Sequence, residues 1–314
     1  MVSSRAGRAV LFGGLALLLI APFLGLYPIF LMKMLCFAIL ACAFNLLLGY
    51  TGLLSFGHAA YFGAAAYGTA WLVKVGGLSP ELGVLAGTAV AAACGLVVGL
   101  IAIRRQGIYF AMVTLAMAQM IYFVFLQAPF THGEDGLQGV PRGQLFGLFS
   151  LANDTVLYYV VLAVFVAVFL FIVRIVHSPY GQVLKAIREN EPRAVSLGYD
   201  VDRYKLLAFV LSTGLAGLAG SLKVLVLGFA TLSDAHWSLS GEVVLMTLLG
   251  GMGTFAGPVI GAFTIIGLQD VLADQVGSWI NVIIGVIFVV CVVAFRKGFV
   301  GELLAWQQRR RAKR

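Results

Sequence analysis

Charged side chains are scarce in this 314-residue chain: they make up 11% of it, against 61% hydrophobic residues, and the mean hydropathy is +1.01. A soluble globular domain carries about 25% charge, so the composition excludes that class and indicates an integral membrane protein. Cysteine is also sparse. Cys36, Cys42, Cys94 and Cys291 all fall inside long apolar runs, which argues against a secreted disulfide framework and a spaced metal site and leaves packing as small hydrophobes. Neither a Gly-x-x-x-x-Gly-Lys-Ser/Thr motif nor any Gly-Lys dipeptide occurs, so the chain has no phosphate-binding loop of its own. His58, His132, His177 and His236 lie on separate segments without a His-Glu-x-x-His arrangement, and no nucleophile sits in a recognisable catalytic motif. An enzyme is therefore not the expected class.

What is present is a series of uncharged windows: 9–32, 34–73, 82–103, 106–133, 155–173, 206–222, 243–269 and 275–295. Each is long enough for one membrane span, the second for two. Basic residues sort these windows by side. Arg5, Arg8, Arg104, Arg105, the 174–205 region and the 296–314 tail fall on one face if the N-terminus is cytoplasmic, with Lys33, Lys74 and Arg142 opposite and Lys223 within a span. The window 243–269 must then return the chain to the side it left, as two short helices or a re-entrant hairpin. The expected fold is an all-α helix bundle with broken glycine-rich helices and both termini cytoplasmic, of about ten passes or eight plus a re-entrant pair. The net charge of +8 lies in loops and the tail, where anionic lipid headgroups account for it and nucleic acid is not needed.

Two windows contain turn chemistry inside apolar sequence. FNLLLGYTGLLSFGHAAYFGAAAYG and LLGGMGTFAGPVIGA share Leu-Leu-Gly-x-x-Gly followed by a further glycine, Gly57 in one and Gly257 in the other. Interrupted helices in corresponding halves point to a substrate pathway, because unwound backbone offers polar groups that a continuous helix hides. The candidate path residues are Asn45, Gly49, Gly52, Ser55 and His58 from the first break and Gly250, Gly251 and Gly253 from the second. Close helix packing is the competing reading of these glycines. It is the better one for Gly83, Gly87, Ala91, Gly95 and Gly99, which recur every four residues. Lys223 is expected to snorkel to the membrane surface, while Gln119 and Asn281 are expected to bridge helices.

Nine charged residues, five basic and four acidic, lie in SPYGQVLKAIRENEPRAVSLGYDVDRYK, residues 178–205. Ser178-Pro179 reads as a helix start, Gly181 to Glu189 as an amphipathic segment, Asn190 before Pro192 as a second start, and Gly198 as a stop. Apolar faces would present Val183, Leu184, Ile187, Val195 and Leu197. Such a segment either docks a partner protein or rests on lipid.

Continued through LLAFVLSTGLAGLAG, and together with GYTGLLSFGHAAYFGAAAY and LLGGMGTFAGPVIGA, this segment resembles the membrane subunit of branched-chain (hydrophobic) amino-acid ABC importers over residues 33–297. The resemblance implies a single permease domain, 1–314, pairing with a second permease, two cytoplasmic ATP-binding subunits and an extracytoplasmic solute-binding protein. It also implies a bacterial inner-membrane location, and ATP bound by the partners with no cofactor in this chain. By the same resemblance, 178–205 is the coupling loop, with Leu184, Ile187, Arg188, Glu189, Glu191, Ala194 and Gly198 contacting an ATPase groove. An ATP-independent secondary transporter or channel for small polar solutes is the alternative, which the broken helices alone equally support. The mixed-charge loop favours the first reading, as does the placing of Glu242, Asp270 and Asp274 at span ends rather than in the membrane interior.

Overall fold

The computed structural model describes residues 13–302, with 15, 26, 146, 148, 280, 281, 288 and 290–297 excepted. Arg5, Arg8, Asn281, Cys291 and the 303–314 part of the basic tail lie outside the described residues. Ten α-helices make up most of the described chain: α1 Pro28–Thr51, α2 His58–Lys74, α3 Pro80–Ala102, α4 Ile108–Gln127, α5 Asp154–His177, α6 Pro179–Glu189, α7 Glu191–Ser196, α8 Val201–Leu227, α9 Trp237–Gly250 and α10 Gly257–Val276. Of these, α1, α3, α4, α5 and α8 are long and apolar enough to cross a membrane, and α9 and the 257–272 part of α10 are shorter apolar helices. The molecule is an all-α membrane bundle.

The window 243–269 divides at Gly250–Gly257 into two helices, as the placing of the basic residues required. The first boundary falls elsewhere than expected. Lys33 was placed between spans, yet it lies half-buried inside α1. The break comes earlier, at Gly25 with φ +79°, and Pro28 begins the next helix because its ring already holds a helical φ and its missing N–H is no loss in a first turn. Four two-residue strands add to the helices: Leu137–Gln138 (β1), Gln144–Leu145 (β2), Phe149–Ser150 (β3) and Phe229–Ala230 (β4). They pair antiparallel as β1 with β4 and β2 with β3.

The bundle is organised around α8, which packs against α1, α2 and α3. The four-residue glycine spacing of α3 is what lets two helices approach it. A Cβ at Gly87 would meet the hydroxyls of Thr69 and Ser221, one at Gly95 the Thr213 side chain, and one at Gly99 would lie 2.8 Å from Leu206 Cδ1. Ala91 faces Gly217 in the same seam. With the groove filled by α2 and α8, Gly95→Leu is expected to abolish most of the folded, detergent-extractable protein, since backbone-close association is what holds membrane helices together. A normal monodisperse yield on size-exclusion chromatography would show the seam to be dispensable.

Segment 178–205 folds as its caps indicate. Ser178 Oγ accepts from Gly181 N at 3.3 Å to start α6, Asn190 Oδ1 accepts from Arg193 N at 3.0 Å to start α7, and Gly198 stops α7 with φ +86°. These two helices lie at the end of the bundle where α1 finishes. The opposite end carries β1, β4 and the 128–153 connection, held by Lys74 Nζ donating to Gln138 O at 2.6 Å and by Arg142 bonding both Asp154 and Val226 O.

Candidate translocation path and coupling contact

The first break begins where α1 runs out of helix formers. Gly52 takes φ +81°, and its N–H and that of Leu53 turn back to Leu48 O and Leu47 O, which satisfies the last carbonyls of the helix. The four residues that follow, 54–57, are not helical, so their N–H groups need other partners. Phe56 N donates to Thr114 Oγ1 of α4 at 3.3 Å and Gly57 N to Ser55 Oγ at 3.2 Å. Non-helical backbone persists in this buried connection because neighbouring hydroxyls satisfy it.

The second break joins α9 to α10 through Gly251 (φ +116°) and Gly253 (φ +75°), both in conformations that a side chain would strain. Thr254 supplies the local hydrogen bonds, donating from Oγ1 to Gly251 O at 2.7 Å and accepting from Gly257 N at 3.1 Å. Asn45 supplies the long-range ones. From the middle of α1, its Oδ1 accepts from Gly253 N at 2.9 Å and its Nδ2 donates to Thr254 O at 2.9 Å. One amide side chain thus closes the second break against the helix that carries the first. Phe255 adds an apolar clamp, with ring centroids 5.8 Å from Tyr50 and 5.3 Å from His177 at the end of α5.

Arg188 of α6 reaches the same place. Its Nη1 donates to Gly49 O in the last turn of α1, where a cation also meets the negative end of the helix dipole. A Cβ at Gly52 would lie 3.1 Å from Arg188 Cγ, and one at Gly253 would lie 3.2 Å from Arg188 Nη1. The absence of side chains at these positions is what lets the arginine sit over both breaks. Asn45, Gly49, Gly52 and Gly253 therefore converge, and they do so beneath the helix expected to receive force from outside.

Other expected path residues are separate. His58 opens α2 and is fully buried among the rings of Phe44, Tyr61 and Phe209. Ser212 Oγ donates to Ala43 O at 2.6 Å, so the 2.9 Å contact between Ser212 Oγ and His58 Nε2 needs its proton from the imidazole. Nδ1 is then a bare acceptor, without a partner among the described residues. Ser55 is buried and accepts from Gly57 N within its own turn. Gly250 packs α9 onto α10 at Gly257 and Gly261, and Gly251 lies against Gly298. These two serve helix contact.

The coupling segment differs from expectation in which face it shows. Leu184 is 0% exposed, packed in a cluster with Leu47, Ile103 and Phe110, while Ile187 and Ala194 are buried with Val201. Their apolar face holds the segment onto the bundle and is covered there by the described chain. Arg188 and Glu191, expected at a contact rim, turn toward their own chain, Glu191 accepting from Lys205 Nζ at 2.6 Å and from Gln106 Nε2 at 3.0 Å. The outward surface is made instead by Glu189, Val195, Leu197 (67% exposed), Gly198 and Tyr199. Behind it Tyr180 stacks on Tyr204 at 5.6 Å and donates to Tyr204 O, and burial pushes its phenol pKa up.

Sequence reasoning also missed Thr114, Thr254 and the Lys223–Asp234 pair. Thr254 was the most accessible of these, since a threonine three residues after a glycine turn is a standard partner for that turn's free backbone. Lys223 does not snorkel: both it and Asp234 are buried, and the two are bonded. Gln119 lines an apolar groove between α3 and α4.

Among curated proteins the chain is 29% identical over 266 residues to the high-affinity branched-chain amino acid transport system permease protein LivM of Escherichia coli (strain K12), covering 76% of this chain and 61% of that one. It is 25% identical over 229 residues to the fructose import permease protein FrcC of Rhizobium meliloti, covering 69% of this chain and 62% of the relative. The chain thus spans less than two thirds of the length of these relatives. No solved structure matches it. The profile described as the permease component of the branched-chain amino acid transport system matches residues 27–292. With that match running through both breaks and the coupling segment, the chain belongs to the family of branched-chain amino acid transport system permease components.

Proposed function

We propose that this chain is the membrane permease subunit of an ATP-driven importer for branched-chain or other hydrophobic amino acids. It would form its path with a second, similar permease, bind two cytoplasmic ATPases through α6 and α7, and receive substrate from an extracytoplasmic binding protein. The single domain would cross a bacterial inner membrane ten times, with both termini on the side of α6 and α7. This count includes the 13–24 segment, α9 and α10 as separate passes, and one further pass after α10. ATP would be bound and hydrolysed by the partners, with no cofactor in this chain.

The observation that carries the reading is the family match together with the convergence of both breaks on Arg188. Movement of α6 pulls on Gly49 O and presses on Gly52 and Gly253, so it reaches the two places where the helices are already interrupted. Backbone freed there offers partial charges to a carboxylate or ammonium group, and the apolar walls pass a hydrocarbon side chain without holding it. Likeness to a fructose permease fits a scaffold whose substrate is chosen partly elsewhere, in the binding protein.

The test is uptake of radiolabelled leucine, isoleucine and valine into vesicles containing the permease pair and its ATPases. Uptake that needs both ATP and the binding protein is the expected result. Uptake driven by a proton or sodium gradient without ATP would replace this reading with the secondary-transporter one.

A further inference from the structure

The most unusual polar group in the bundle lies far from the breaks. Lys223, 22 residues after the start of α8, is 5% exposed, and Asp234 is 7% exposed. Lys223 Nζ donates to both carboxylate oxygens, at 2.9 and 2.7 Å. Asp234 Oδ2 also accepts from the N–H and hydroxyl of Thr231, closing a short 3₁₀ turn at Leu232–Ala235. That turn packs inside the bundle, because a Cβ at Gly63 of α2 would lie 2.6 Å from Ala235 Cβ. The ammonium sits 4.7 Å from the centroid of the Phe229 ring.

A buried ion pair is weak evidence for a purely stabilising role. Removing both charges from water costs more than their attraction returns unless the geometry is very good, and apolar residues of similar size usually serve as well or better. Beside the pair lies a second uneconomical group. Tyr67, 1% exposed, packs with Val224 and Ala230, the neighbours of Lys223 and of the Asp234 turn, and its hydroxyl has no hydrogen-bond partner among the described residues. Asp234 lies within electrostatic reach of it. A buried hydroxyl left unpaired is a cost that phenylalanine would avoid.

We propose that Lys223, Asp234 and Tyr67 form an occluded subsite for the α-ammonium and α-carboxylate groups of an amino acid, at the end of the bundle opposite α6 and α7. In the closed state each charge of the protein stands in for one charge of the substrate. When the turn at 232–235 moves away, the substrate carboxylate takes Lys223 and its ammonium takes Asp234, with the Tyr67 hydroxyl as an additional partner. One buried ion pair is exchanged for two, so net charge stays zero at every stage. Binding is correspondingly weak, as a site on a pathway must be if substrate is to leave it. Gly228 begins the segment with φ +78° and accepts from Val140 N at 2.9 Å, and the β4 strand pairs with β1 through two residues. An uncharged substrate such as a sugar would gain nothing from this pair, so the subsite selects for zwitterions.

The inference rests on the amino-acid reading above, and the experiment separates the two. Tyr67→Phe removes only an unpaired hydroxyl. If the group is structural, its loss leaves folding and uptake unchanged or improved. The subsite predicts an unchanged or higher Tm in detergent with leucine uptake lowered about tenfold in vesicles carrying the complete transporter, the effect of one lost hydrogen bond. A second variant, Lys223→Met with Asp234→Asn, removes both charges together and keeps an acceptor for the Thr231 cap. It should remain folded and lose uptake more severely, while ATP hydrolysis by the complex continues. Wild-type uptake from either folded variant overturns the subsite and leaves the amino-acid reading standing. Failure of the unaltered transporter to carry any amino acid removes both.

Discussion

Arg188→Ala is expected to lower ATP-dependent uptake by about ten- to a hundredfold while leaving the ATPase bound and active. The range is what a hydrogen bond from a charged donor contributes. The guanidinium reaches from α6 to Gly49 O, Gly52 and Gly253, and alanine leaves α6 resting on the bundle without that grip on either break. Folding should survive. Arg188 is exposed along much of its length, so water can replace it at the Gly49 carbonyl, and Leu184 and Ile187 still hold the helix in place. Arg188→Lys keeps the charge and one donor, and partial uptake is expected from it. The readouts are leucine uptake and ATP hydrolysis by the same purified complex. Parallel loss of both would mean that Arg188 holds the ATPase, and loss of neither would mean that α6 acts elsewhere.

The second large effect separates the two faces of the coupling segment. Leu184→Asp places an unpaired carboxylate in a cluster with Leu47, Ile103 and Phe110 at a position that is 0% exposed. Burying such a group costs several kcal/mol, comparable with a large part of the stability of a domain. Folded protein should therefore fall sharply, whatever partner is present. Leu197→Asp, at 67% exposed, should fold normally, yet remove ATPase co-purification and uptake, because it puts the same charge into a contact that forms only on assembly. If Leu184→Asp folds well and Leu197→Asp assembles well, the faces have been assigned the wrong way round.

That contrast also shows what the sequence could and could not convey. The seam on α3 was legible because Gly83, Gly87, Ala91, Gly95 and Gly99 repeat at the helical spacing, and no partner need be known to read it. The boundaries of α6 and α7 were legible too, because Ser178-Pro179, Asn190 and Gly198 each act on the backbone within a few residues. The direction of α6 was not. Its apolar stripe at Leu184 and Ile187 is equally suited to a partner or to its own bundle, and only the position of Phe110 and Val201 in space decides between them. Arg188 looked like a rim charge for the same reason: the carbonyl it bonds is 139 residues away in sequence, and backbone carbonyls leave no mark on composition. Lys223 and Asp234 are only 11 residues apart, but their meeting depends on the turn at Gly228 bringing the chain back into the bundle. An expectation based on distance along a straight helix sent Lys223 to the surface instead. At the first break, FNLLLGYTGLLSFGH announced an interruption, and the repeat pointed to its counterpart. That Asn45 joins the two could not be read from either stretch alone.

The central claim is that the two breaks form one joint, moved by the ATPases through α6 and open to substrate. Its most direct test uses Ser55→Cys, a near-isosteric change in the unwound stretch, with Cys36, Cys42, Cys94 and Cys291 replaced by alanine. In vesicles containing the complete transporter, the rate of labelling by a small aqueous thiol reagent is measured without nucleotide, with ATP trapped, and after hydrolysis. The account predicts that the rate changes severalfold between these states and that Arg188→Ala removes the difference. Labelling at one rate in all three states, in a transporter that still imports leucine, would contradict it.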